Sequence, residues 1–262
     1  MAQRPTRSLK HEYELFVEQE IENYKESVPR SVLLSIGDEA VAELSADTQF
    51  ALTELLLCEE VDRIIVKRLG LPGFDAWRRR RLKLISELRR PEHWGLRPDD
   101  MLVRALPPSP EGRVLVAGAS DEVSALYLAA NGCDVTTLTA EVGAHERVMQ
   151  AAIGAGLAGR VHSHIGDLAS WTPPAATQLD AVIVNPTALN GFSVAERERV
   201  IQILQTATMD GGVHLVQTVS ATAKANGAIS VEELRTRYRG WTVSVEHADG
   251  RSRTFLARKG AA

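Results

Sequence analysis

Over roughly the first hundred positions, apolar residues recur at three- and four-residue spacing, the helical period. Tyr13, Phe16, Val17, Ile21 and Tyr24 fall on one stripe of a helix that ends before Pro29. A second helical segment covers 38–44. In a third, Leu52, Leu55, Leu56, Ile64, Ile65 and Leu69 share a face, and Gly70 and Pro72 supply the stop. A fourth starts near Asp75 as N-cap, turns Trp77, Leu84, Ile85 and Leu88 inward, and breaks at Pro91. Four amphipathic helices predict an all-α N-terminal domain over 1–91, followed by a linker over 92–110.

Beyond Leu106-Pro107-Pro108-Ser109-Pro110 the period changes. Short β-branched runs at 114–116, 135–138, 161–165, 181–184 and 213–217 alternate with helical patterns at 124–130, 144–155 and 194–208. Strands alternating with helices predict a parallel sheet covered on both faces. The end differs, because 241–246 and 254–257 flank the turn-like His247-Ala248-Asp249-Gly250, which reads as an antiparallel hairpin. The expected order over 111–262 is therefore five βα units followed by a hairpin.

Composition narrows the classes. With 262 residues, 44% hydrophobic and 24% charged, the chain is globular rather than fibrous or disordered. No apolar run reaches the ~18 residues of a membrane span, and the N-terminus lacks a signal-peptide core, so a cytoplasmic location is expected. Cys58 and Cys133 form no disulfide framework and have no metal-ligand spacing; both read as reduced core thiols. The net charge of −4 offers no general attraction to nucleic acid or anionic lipid. Its distribution says more. His11 to Asp62 carries fourteen acids against Lys25 and Arg30, a net of −12, whereas Arg63 to Arg104 carries twelve bases against five acids, a net of +7. Acidic and basic helices that pair with each other, or with a second copy or protein partner, account for this. A basic face for an acidic partner is the alternative.

Particular strings in the second half resemble the class I S-adenosylmethionine (SAM) dependent methyltransferases. Arg113-Val114-Leu115-Val116-Ala117-Gly118-Ala119-Ser120-Asp121-Glu122 is similar to the family's first strand and glycine-rich turn. Asn131-Gly132-Cys133-Asp134-Val135-Thr136-Thr137-Leu138 resembles its second strand, Arg160 to Leu168 its third, and Leu179 to Pro186 its fourth. Met209-Asp210-Gly211-Gly212-Val213 resembles the turn before the fifth strand. His93-Trp94-Gly95-Leu96-Arg97-Pro98-Asp99-Asp100 is similar to the lead-in of tellurite-resistance and thiopurine-type methyltransferases. The resemblance runs from about Glu92 to Lys259, and its order is more specific than any one motif.

That resemblance implies a Rossmann-like α/β fold, SAM as cofactor and a small-molecule methyl acceptor. It puts Gly118, Ala119, Ser120, Leu168 and Asn185 around the cofactor, with Thr139 or Glu141 at the ribose and Asp167 at the adenine. The departures matter as much. Only Gly118 remains of the turn glycines, Val116 or Ala117 stands where an acid is usual, and Thr139 stands where the ribose-binding acid is usual. Glu122 puts a carboxylate where the methionine carboxylate runs, a repulsion unless it is paired. No general base is singled out, and soft nucleophiles need none. These departures keep open a second reading, an inactive methyltransferase-like protein serving in assembly.

Other constellations have plainer readings. His162 and His164 share a strand face as metal ligands do, with His145 and Glu141 in the same region, but no third ligand is fixed by spacing; histidines bonded to backbone are the simpler reading, and no metal is expected. Asn185-Pro186 resembles the start of an amino-group methyltransferase motif, yet Thr187 and Ala188 follow it, so a polar strand end capping the pocket is preferred. Trp94 and His93 line a pocket mouth or anchor the linker. The Arg78–Arg81 run contacts phosphates or pairs with acidic helices, and no interleaved aromatics or motif point to nucleic acid. A faint resemblance to short-chain dehydrogenases is disfavoured: the further turn glycines are missing, neither Tyr127 nor Tyr238 has a lysine four residues on, and the chain ends in a hairpin.

Overall fold

The computed structural model describes residues 8–45, 54–107, 109, 111–118, 122–173, 178–219, 229–248 and 252–260. The chain divides into two compact units, Met1–Leu84 and Ile85–Ala262, with the division falling inside the fourth helix. No described helix is long and apolar enough to cross a membrane.

The first unit contains α1 (Leu9–Ser27), α2 (Arg30–Ser45), α3 (Glu54–Leu69) and most of α4 (Phe74–Leu88). Ile21, Ile36, Ala40, Ile64 and Ile65 are buried together, with Val17, Tyr24, Leu57 and Val61 packed around them. α2 starts well before position 38 because the Pro29 carbonyl accepts the Val32 and Leu33 N–H groups, opening the helix directly after the proline. α4 also starts early: the Trp77 N–H bonds the Gly73 carbonyl, which puts Asp75 inside the first turn rather than at the cap. Leu55 and Leu84 do not face inward; they are 69% and 44% exposed. The inward face of α3 runs through Leu57, Val61, Ile64 and Ile65, and Leu55 is about 200° from Leu57. Leu52 lies outside the described residues. Cys58 is exposed, so only Cys133 is a core thiol.

The polarised charges are consumed in part within this unit. Lys25 bridges Glu22 and Asp62 at 3.0 and 2.9 Å, Arg63 meets Glu43 and Glu60, Arg68 meets Glu39, and Arg81 meets Glu12 at 3.2 Å.

In the second unit a 3-10 turn (Pro91–Trp94) and α5 (Met101–Ala105) precede a seven-stranded sheet. Its strands are β1 (Arg113–Ala117), β2 (Asp134–Thr139), β3 (Val161–Ile165), β4 (Leu179–Val184), β5 (Thr208–Val219), β6 (Thr242–Ala248) and β7 (Ser252–Arg258), in the spatial order β3-β2-β1-β4-β5-β7-β6. β7 runs antiparallel between β5 and β6, and the other neighbours are parallel. The α/β fold with its C-terminal hairpin is therefore as expected. The βα rhythm is not complete: α6 (Glu122–Ala130), α7 (Val142–Gly154), α8 (Val194–Ala207) and α9 (Val231–Arg237) follow β1, β2, β4 and β5, but no helix follows β3 among the described residues.

Period-two alternation splits the core. Val114, Val116, Ala181 and Ile183 pack with Ala125, Leu128 and Val148 of α6 and α7; Leu115, Ala117, Val182 and Val184 pack with Val200, Leu204 and Leu234 of α8 and α9. β5 starts at Thr208, earlier than its apolar run, and absorbs the glycines through a register shift between Leu179 and Ala181. A Cβ on Gly212 would lie 2.5 Å from Thr208 Cγ2, so that position admits only glycine.

A buried polar chain crosses the second core. Thr208 Oγ1 donates to the Leu204 carbonyl at 2.7 Å, so it must accept from His214 Nε2–H, also 2.7 Å away. That leaves His214 Nδ1 to accept the Tyr238 hydroxyl at 2.7 Å. Every proton is placed with the imidazole neutral, and burial pushes the His214 pKa down to about 3. The unfolded chain protonates this group near the ordinary value of about 6.5. Its stabilising contribution is thus complete above that pH and is lost by up to ~1.4 kcal/mol per pH unit between about 6.5 and 3. Urea unfolding of wild type and His214→Leu over this range should differ in slope by one proton; parallel slopes would show that His214 is not held neutral. At neutral pH, Tyr238→Phe removes the donor to Nδ1 and should cost ~1–3 kcal/mol in the same measurement.

Candidate functional site at the carboxyl edge of the sheet

The first four strands end on one edge. Gly118 N–H bonds the Leu138 carbonyl (2.9 Å), Asn185 N–H the Ala117 carbonyl (2.8 Å), and Gly166 N–H the Thr139 carbonyl (2.8 Å). The structure thereby brings Gly118, Thr139, Glu141, Asp167, Leu168 and Asn185 to the same edge. Ala119 and Ser120 lie outside the described residues. β1 is flanked by β2 on one side and β4 on the other, so the order in which parallel strands are added to the sheet reverses between β1 and β4. In open α/β sheets that is where ligands bind.

At this point the two strand ends touch. Gly118 has φ 123°, and a Cβ there would lie 2.5 Å from Asn185 Cβ and 3.1 Å from Thr187 Oγ1. Glycine is required by the chain's own packing, whatever else approaches it. Asn185 is buried, and its Oδ1 accepts from the Thr187 N–H (3.1 Å) and hydroxyl (3.0 Å), capping the 3-10 turn Pro186–Leu189. Its side-chain carbonyl is committed to that turn.

Thr139 is buried at the end of β2, and its Oγ1 accepts the Glu141 N–H at 3.2 Å, which leaves the hydroxyl proton available. Glu141 is the N-cap of α7 yet makes no side-chain cap bond, and its exposed carboxylate has no partner among the described residues. Glutamate is not among the preferred N-cap residues, and its carboxylate here is an acceptor without a bond among the described residues. Asp167 is exposed and closes its own turn, its Oδ1 accepting Ser170 N–H (2.8 Å) and Ser170 Oγ (2.9 Å). Those bonds, the backbone one foremost, hold its carboxyl below the usual range. Leu168 is buried in the core beside it. Glu122, at the first turn of α6, lies 3.5 Å from Arg147 of α7, so the carboxylate that sequence flags as repulsive is paired. Arg147 belongs to this edge and has no motif to announce it; its only sequence signal is a basic residue one turn into the helix after β2.

The remaining candidates separate from the edge. His162 bonds the Asp134 carboxylate at 2.8 Å rather than backbone, and His145 bonds Ser163 at 2.8 Å. Ser163 points to the sheet face opposite His162 and His164, so the three histidines do not converge. No group of three or more ligating side chains able to hold a metal occurs among the described residues. Trp94 donates its indole N–H to the Leu88 carbonyl (2.7 Å) and packs on the core, the anchoring role.

Solved structures share this architecture. The N-methyltransferase NodS from Bradyrhizobium japonicum WM9 superposes with a TM-score of 0.51 at 16% identity, over 61% of this chain and 93% of NodS. Its complex with S-adenosyl-L-homocysteine gives 0.50 at 15%, over 69% and 98%. TehB from Haemophilus influenzae gives 0.50 at 17%, over 60% of this chain and 61% of TehB; the cyclase SpnF gives 0.50 at 16%, over 62% and 80%. No family model and no curated protein matches the sequence. At such identities the likeness speaks to architecture, and it agrees with the strand order and the reversed β7: the second unit of this chain has the class I SAM-dependent methyltransferase fold.

Proposed function

We propose that the α/β unit binds SAM at the carboxyl edge and catalyses methyl transfer to a small-molecule acceptor. The observation that carries this reading is the unpartnered Glu141 carboxylate two residues beyond β2, beside the switch point of a sheet ordered β3-β2-β1-β4-β5-β7-β6. Glu141 and the Thr139 hydroxyl would hold the ribose, Asp167 and Leu168 the adenine end, and Gly118 and Asn185 the crevice floor; Ala119 and Ser120 keep the places the resemblance gives them. SAM supplies a methyl group made electrophilic by its sulfonium. The protein's part is to align an acceptor with that methyl and exclude water, and a soft nucleophile needs no general base. Arg147 neutralises Glu122 so that a ligand carboxylate can be tolerated nearby. NodS in complex with S-adenosylhomocysteine supports the choice of ligand.

One observation favours a second reading, a methyltransferase-like protein that does no chemistry. Gly118 is accounted for by its positive φ and the approach of Asn185 and Thr187, so its retention does not require a cofactor. The cyclase SpnF on the same architecture makes the general point that fold does not fix reaction.

Calorimetric titration with S-adenosylhomocysteine separates the readings. Binding is expected, and Glu141→Gln should weaken it about tenfold, the scale of one charge-assisted hydrogen bond. Absence of heat at millimolar ligand would leave only the non-catalytic reading, and an unchanged affinity would remove Glu141 from the site. Arg147→Ala should also weaken the ligand several-fold by exposing Glu122 to its carboxylate, and Glu122→Gln in the same chain should restore it. If the double variant binds no better than the single one, the neutralising role is wrong.

A further inference from the structure

The helical unit carries two charged ridges that its own ion pairs leave unspent. Along α1, Glu14, Glu18, Glu22 and Glu26 stand four residues apart and exposed, one line of like charges that repel one another. Glu22 shares Lys25, and Glu14 has only His11 at 3.7 Å; Glu18 and Glu26 have no partner among the described residues. On α4, Arg78, Arg79, Arg80 and Lys83 are exposed and have no ion pair or hydrogen bond among the described residues, whereas Arg81 is taken by Glu12. The two helices are neighbours. Tyr13 and Phe16 pack on Trp77 at ring distances of 5.5 and 6.1 Å, and Glu12 reaches Arg81, so the N-terminal half of α1 meets α4.

We propose that this unit is a self-association surface, in which the basic ridge of α4 in one copy docks on the acidic ridge of α1 in a second copy. Adjacent helices of opposite charge are self-complementary under a two-fold axis between them: each α4 meets the other copy's α1, and the contact forms twice. A second copy fits better than a nucleic acid. Leu82, 44% exposed, sits among the bases, and the unit's aromatic cluster is spent on internal packing rather than offered for stacking. Free acids and free bases on one small unit also need no foreign partner to neutralise them.

Sedimentation of the full chain at about 100 µM and about 50 mM salt should show a dimer that dissociates near about 1 M salt, where the Debye length shrinks to ~3 Å. The triple variant Arg79→Glu/Arg80→Glu/Lys83→Glu and the double variant Glu14→Lys/Glu18→Lys should each raise the dimer dissociation constant at least about 100-fold. An equimolar mixture of the two should return to within about tenfold of wild type, because each reversed ridge then meets its complement. A wild-type monomer at low salt overturns the proposal, as does a dimer indifferent to salt and to both reversals. So does a mixture of two folded variants, judged by circular dichroism, that fails to re-associate. A monomer that retains an oligonucleotide through Arg79 and Arg80 would instead assign the basic face to nucleic acid. The wild-type salt dependence stands as a test even where a reversed variant does not fold.

Discussion

The approach of β1 to β4 at Gly118 and Asn185 constrains everything at the carboxyl edge. With 2.5 Å between a hypothetical Cβ and Asn185 Cβ, the two strand ends close only because residue 118 has no side chain and adopts φ 123°. The Asn185 amide, held by Thr187, in turn opens the turn that leads toward α8. The two strand ends are therefore closed against each other by the chain's own polar side chain.

Charge around that edge is arranged in two ways. Glu122 is paired with Arg147 between α6 and α7, whereas the Glu141 carboxylate at the N-cap of α7 has no partner among the described residues. Asp167 is the intermediate case, ionised but half committed to Ser170.

Away from the edge, the same rule of satisfied or paired polar groups explains the core. The chain from Tyr238 through His214 and Thr208 to the Leu204 carbonyl joins α9, β5 and the end of α8 with no group left over. The aromatic rings of Tyr238 and Trp241 enclose the imidazole edge-on at 5.5 and 4.8 Å. None of these residues is adjacent in sequence, and each reads on its own as an ordinary strand or helix position.

What the sequence determined by itself was the period of each segment. Alternation at 114–116 and 181–184 and three-to-four spacing at 13–24 are local properties, because burial on one face imposes them whatever the neighbours are. The order of strands and helices, and the hairpin at the end, followed from them. Facts that depend on distant residues did not. Leu55 and Leu84 sit within apolar patterns yet face outward, since the inward direction of a helix is chosen by what packs on it. His162 found Asp134, and Arg147 found Glu122, through pairings 28 and 25 positions apart that no spacing rule encodes. The reason Gly118 must be glycine lies in Asn185, a contact that exists only once β1 and β4 lie side by side.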